Sequence, residues 1–212
     1  PASGHVHMTA RNPALTAWPE ELFDLLADDV PPWWSHDGLS PDASSTAVWS
    51  KRTPLHALVL TKNNLAALDE RIARFDALHR LDVRENRLST LPSTFDQLVH
   101  LTTLHLSQNA FTKIPTCILA LPALTTLDLS HNQLETLWTP DDVGTRGVSP
   151  PNILPSLSTL DLSYNRLKTS ALVPMPTSLE HLSLKHNDLQ HPIPMDVLYP
   201  AKRLQELVLA VY

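Results

Sequence analysis

The sequence predicts an α/β solenoid: a right-handed, curved stack of short parallel strands, with short helical, 3₁₀ or extended segments returning along its convex side. Three observations lead there. The pattern Leu-x-x-Leu-x-Leu-x-x-Asn-x-Leu recurs from residue 55 to the end of the chain, the first six copies keep an asparagine at the ninth place, and Leu-Pro-x-x-Phe or Ile-Pro-x-x-Ile follows two of the copies.

The copies are explicit. Leu55, Leu58, Leu60, Asn63 and Leu65 fill the pattern once, and Leu78, Leu81, Val83, Asn86 and Leu88 fill it again. Leu101, Leu104, Leu106, Asn109 and Phe111 follow, then Leu124, Leu127, Leu129, Asn132 and Leu134. Leu157, Leu160, Leu162, Asn165 and Leu167 come after a longer gap, then Leu179, Leu182, Leu184, Asn187 and Leu189. A seventh copy opens at Leu204, Leu207 and Leu209 and stops at Tyr212. Successive first leucines lie 23, 23, 23, 33, 22 and 25 residues apart. Three identical spacings rule out coincidence.

Elementary geometry accounts for the pattern. Residues three to six of each unit form a strand, whose side chains alternate between core and surface, so Leu58 and Leu60 point in and Val59 points out. A sharp turn follows, leaving backbone N–H and C=O groups that need partners. Leu91-Pro92-x-x-Phe95 and Ile114-Pro115-x-x-Ile118 begin the return, where proline starts a helical or 3₁₀ segment. Val173-Pro174-Met175-Pro176 takes that place in the 22-residue unit and suits an extended, polyproline-like path. One unit cannot bury its own apolar face, so stability comes from stacking neighbours.

These repeats resemble the leucine-rich repeat family, in its intracellular Leu-Pro-x-x-Ile type with repeats of about 23 residues, over residues 55–212. The resemblance implies that Asn63, Asn86, Asn109, Asn132, Asn165 and Asn187 turn inward and bond the backbone as a ladder. It also implies a protein-binding scaffold or regulatory module, as similar intracellular repeats serve signalling proteins.

Residues 1–28 read as a degenerate first repeat that caps the amino-terminal end. Val6-His7-Met8 is its strand, and Leu15-Thr16-Ala17-Trp18-Pro19-Glu20-Glu21-Leu22 its return, with Trp18 in a leucine position. Ser3-Gly4, this stretch and Trp49 resemble the opening of one member of the family. Residues 29–54, with Pro31-Pro32-Trp33-Trp34, read as a linker. Its tryptophans have two readings, a plug on the end of the core or an anchor for a partner. The insertion at 138–154 holds two of the four glycines. It is expected to be mobile, and is either a partner contact or a tolerated loop. The apolar, uncapped end Leu-Val-Leu-Ala-Val-Tyr leads us to expect that the natural chain continues or that another chain covers this edge.

Composition narrows the function. With 42% hydrophobic and 18% charged residues the chain can bury a sizeable core. A net charge of −6 and scattered basic residues argue against nucleic acid. No apolar run is long enough for membrane insertion. The single cysteine, Cys117, excludes an internal disulfide and points to cytoplasm or nucleus.

The expected ligand face is the outward side of the strands. Its fifth template positions hold Val59, Asp82, His105, Asp128, Asp161, Ser183 and Val208, and its eighth positions Lys62, Glu85, Gln108, His131, Tyr164, His186 and Val211. The partner-binding candidates are Arg80, Asp82, Arg84, Glu85, His105, Gln108, Asp128, His131, Asp161, Tyr164, Lys185 and His186. Seven strands make a strip roughly 29 Å long, acidic and histidine-bearing in the middle, suited to a peptide or domain presenting basic or hydrogen-bonding groups. Asp128 and Asp161, on adjacent strands, have the separation of paired catalytic carboxylates. However, Leu-Asp-Leu-Ser is a common strand sequence in the resembling family, and no walled pocket is evident. His105, His131 and His186 are metal-ligating types without a recognised zinc spacing. They would make a partner interface pH-sensitive. No phosphate loop or nucleophile elbow is present. The expectation is a non-enzymatic scaffold without cofactor that binds another protein. The alternative is the targeting segment of a larger enzyme whose catalytic domain lies outside this chain.

Overall fold

A computed structural model describes residues 4–9, 14–19, 54–138, 153–172, 175–190, 193 and 195–209. Eight strands form one parallel sheet in sequence order: β1 His5–His7, β2 Ala57–Val59, β3 Arg80–Asp82, β4 Thr103–His105, β5 Thr126–Asp128, β6 Thr159–Asp161, β7 His181–Ser183 and β8 Glu206–Val208. This is the solenoid expected from the repeats. The strand ahead of Leu55 sits one residue earlier than Val6-His7-Met8, because Val6 pairs with Leu58 as the inward residue. Linker residues 29–53, with Trp33 and Trp34, lie outside the described residues, as do 139–152 of the insertion.

Each strand is three residues long for a geometric reason. The central residue, Val6 in β1 and leucine in the others, points into the core, its neighbours lie toward the opposite face, and the turn begins two residues later. Leu58, Leu81, Leu104, Leu127, Leu160 and Leu182 are buried in one column, and Leu60, Val83, Leu106, Leu129, Leu162 and Leu184 in the next. Ile72, Phe95 and Ile118 close the opposite wall from the returns. Each large aliphatic gains about 1.5–3 kcal/mol on burial, most of it offset by chain entropy. Trp18 joins this core with its ring buried.

Among the described residues the returns hold 3₁₀ turns at Glu70–Arg74, Ser93–Gln97, Thr116–Ile118 and Thr169–Ala171, and a short α-helix, α1, at Met195–Leu198. Pro92 and Pro115 cap two turns with φ near −64° and −61°, the value their rings impose. At the equivalent place Asp69 caps the first turn by accepting the Arg71 backbone N–H at 2.8 Å. Val173 and Pro174 lie outside the described residues. Leu172 before them is extended (φ −72°, ψ 135°) and follows the 3₁₀ turn at Thr169–Ala171.

After the strand the chain turns through a left-handed residue. Lys62, Glu85, Gln108, His131, Tyr164 and His186 all have φ between 53° and 58°. None is glycine or asparagine, so each carries a cost of about 1–2 kcal/mol. The turn is held from inside by the next residue, an asparagine. Asn132 accepts from Phe111 N–H at 3.1 Å and donates to the carbonyls of Leu106, Leu129 and Ser130 at 3.0, 3.1 and 3.2 Å. Asn109 does the same for Leu88, Val83, Leu106 and Ser107. Asn63 ties the first coil to the rest, accepting from Leu15 N–H and donating to Met8 O.

Two measurements follow. Asn109→Ala strands several buried backbone groups and lowers unfolding free energy by about 2–4 kcal/mol in urea titration. Gln108→Val, at an exposed site, places a β-branched residue at positive φ and costs about 1 kcal/mol in the same assay, where most surface changes are neutral.

Candidate protein-interaction face

The in-register sheet converts sequence spacing into rows across the strands. Along the row that includes the fifth template positions, His7, Val59, Asp82, His105, Asp128, Asp161, Ser183 and Val208 are consecutive register partners. With strands about 4.8 Å apart, the eight-strand face is roughly 34 Å long. Arg80 projects from the third-position row, Arg84 and Lys185 lie two residues after the strand ends of their repeats, and Glu85, Gln108, His131, Tyr164 and His186 occupy the left-handed turn.

Asp82 departs from its row. Its side chain is only 2% exposed, covered by Arg84, whose Nε and Nη2 donate to Oδ1 and Oδ2 at 2.9 and 2.8 Å. Arg80 Nη2 adds a longer contact at 3.8 Å. The carboxylate hydrogen-bonded to Arg84 raises that guanidinium's pKa above its usual value, against an opposing effect of burial. Both residues were face candidates by position, but their pairing was not read from the sequence. Lys62 and Glu85 form an exposed pair at 3.7 Å, of the kind that adds little stability.

Further along, His105 Nδ1 faces Asp128 Oδ2 at 3.7 Å, an ion-pair distance longer than a hydrogen bond, and that nitrogen is buried without a hydrogen-bond partner. Asp128 Oδ1 accepts from the Ser130 N–H at 3.0 Å and hydroxyl at 2.7 Å. Burial pushes the Asp128 pKa up, but His105, Ser130 and Ser107 together outweigh it and bring the carboxyl down to about 2. Asp161 repeats the arrangement, accepting from Ser163 N–H at 2.9 Å and from its hydroxyl, which also meets the Ser183 hydroxyl at 2.6 Å.

Beside these carboxylates three rings stack. His131 and Tyr164 have centroids 4.1 Å apart at 10°, and Tyr164 and His186 are 4.3 Å apart at 28°. Their places were evident from the repeat, but their contact follows from the shared left-handed turn. A second histidine row, His56, His79 and His100, lies on the edge where the returns enter the strands, with ring spacings of 5.3 and 6.2 Å. Sequence reasoning missed it, although His56 and His79 hold the same template place. Among the described residues no group of three or more His, Cys, Asp or Glu side chains could hold a metal ion. An open hollow bordered by Pro155, Thr177, Tyr199, Pro200, Lys202 and Arg203 contains none of the candidates. Cys117 is buried in the return Thr116–Ile118.

Residues 53–111 and, overlapping, 76–134 match a family model described as Leucine rich repeat, and residues 156–176 match a second of the same description. These matched units are leucine-rich repeats. No curated protein matches at a significant level. Solved structures that resemble the chain include a leucine-rich repeat protein of Leptospira interrogans, with 31% identity, TM-score 0.52, and coverage of 73% of this chain and 43% of that one. InlP of Listeria monocytogenes follows with 28% identity, TM-score 0.53, and coverage of 75% and 40%. The plant peptide hormone receptor RGFR1, in complex with RGF2, has 26% identity, TM-score 0.56, and coverage of 73% and 24%. The chain spans less than half the length of each of these structures. Leucine-rich repeat domains generally mediate protein–protein interaction and are typically non-enzymatic binding scaffolds. No described helix is long and apolar enough to cross a membrane.

The depressed Asp128 value fixes a pH dependence. A carboxyl whose folded pKa lies below its unfolded one contributes stability above the unfolded value, and that contribution disappears as pH falls through the folded one. Unfolding free energy therefore declines from about pH 3.8 to about 2, and Asp128→Asn flattens this part of the curve in acid titration.

Proposed function

We propose that this chain is a protein-interaction scaffold or regulatory module that binds a partner protein on its strand face. The observation that carries the reading is the in-register row of polar side chains from β3 to β7, backed by a sealed leucine core and flanked by the exposed Tyr164. An open sheet face with an exposed aromatic beside it suits a partner surface, and among the described residues no deep walled site competes for the role. We further infer a place in signalling within the cytoplasm or nucleus. The buried lone cysteine supports this, as do the Leu91-Pro92-x-x-Phe95 and Ile114-Pro115-x-x-Ile118 returns and the likeness of Ser3-Gly4 and Leu15-x-x-Trp18-Pro19-Glu20-Glu21 to leucine-rich repeat-containing protein 40.

The test uses three forms of the chain as bait in cell lysate, read by mass spectrometry. These are the wild type, an exposed-face variant (Arg80→Glu, Tyr164→Ala, Lys185→Glu) and a return-side variant (Arg74→Glu, Gln97→Lys). A protein kept by the wild type and the return-side variant but depleted at least about tenfold on the face variant supports the reading. Equal retention by all three forms, or loss on the return-side variant alone, contradicts it.

A further inference from the structure

The strand face is not uniform, and its asymmetry specifies a ligand. Toward β2 and β3 the charges are already matched: Asp82 is enclosed by Arg84 and Arg80, and Glu85 meets Lys62. From β5 onward, among the described residues, no lysine or arginine does this: Asp128 has His105 at 3.7 Å, and Glu206 has His181 at 3.1 Å. Asp128 and Asp161 are register partners on adjacent strands, roughly 5 Å apart. Each spends Oδ1 on the serine two residues ahead in its own repeat. Among the described residues no lysine or arginine lies within ion-pair distance of either. Two like charges this close repel one another, and a shared cation would relieve that repulsion.

A second and independent feature borders the pair. Tyr164 is 43% exposed, one of three large apolar side chains so exposed among the described residues. Both of its faces are covered by His131 and His186. It therefore offers its ring edge and hydroxyl, not a π face, to an incoming group. The stack is a flat, amphipathic ledge running parallel to the carboxylate row.

Resting on the strand-face reading above, we propose that β5–β7 docks an arginine-bearing segment of a partner protein. Its guanidinium bridges Asp128 and Asp161, and its aliphatic stem and flanking side chains lie against the His131–Tyr164–His186 ledge. Arginine fits better than lysine. Its planar fork presents five donors and engages carboxylates in a bidentate manner, while an ammonium is a compact and more strongly hydrated charge. The hydrogen bonds that keep Asp128 ionised to low pH hold the negative site in place throughout the neutral range. The net charge of −6 adds a long-range attraction for a basic segment.

The probe is a random library of soluble peptides of about twelve residues, selected on the full chain. The best binder is then remade with arginine replaced by citrulline or by lysine. Its affinity is measured against the wild type, Asp161→Asn, Tyr164→Ser, Glu85→Lys and Arg74→Glu. The proposal expects arginine to be enriched among the selected peptides. It also expects citrulline, Asp161→Asn and Tyr164→Ser each to weaken binding about tenfold or more, with citrulline adding little once Asp161 is already neutral. Selected peptides poor in arginine overturn it, as does a binder lost to Glu85→Lys but indifferent to Asp161→Asn. The latter leaves the strand-face reading standing. A binder sensitive only to Arg74→Glu overturns both.

Discussion

Everything in this molecule depends on the asparagine that follows each left-handed turn. Its amide satisfies carbonyls in its own repeat and in the repeat before, and its oxygen receives the preceding repeat's N–H, so one side chain stitches two coils together. Buried polar groups are costly unless fully paired. Asn109, Asn132 and Asn165 are buried and each makes such a set of bonds. The ladder is thus both a polar necessity and a ruler, since it admits one stacking of each repeat upon the last.

That ruler is what turns spacing into a surface. Intervals of 23, 33, 22 and 25 residues all deliver strands in the same register, because the length differences fall in the returns and in the insertion, away from the turn the asparagine holds. A change of partner chemistry therefore needs only a change of side chain at an outward position. The chain illustrates this within itself. The same fifth position holds Asp82 covered by Arg84, a half-buried His105, Asp128 facing that histidine, and Asp161 bonded to Ser163.

How much was legible in the sequence follows from the same physics. Inward leucines, ninth-position asparagines and Pro-led returns repeat, so period and burial could be read directly. The left-handed turn could not, since Lys62, Glu85, Gln108, His131, Tyr164 and His186 lack the glycine or asparagine that would announce it. The tertiary ladder overrides their local preference. The amino-terminal strand was located but shifted by one residue, because Val6 and Met8 are a weaker signal than paired leucines. The face candidates were visible by position, while their electrostatics were not. That Arg84 screens Asp82, and that among the described residues no lysine or arginine answers Asp161, depends on side-chain directions that alternation only partly determines.

The most direct test of this account is hydrogen–deuterium exchange on the wild type and on Asn132→Ala. If one asparagine couples two coils, protection falls in both, at Phe111 N–H in the preceding repeat and around residues 129–134 in its own. Protection lost only within residues 129–134, with Phe111 unchanged, would contradict the claim that the ladder sets the register on which the face depends.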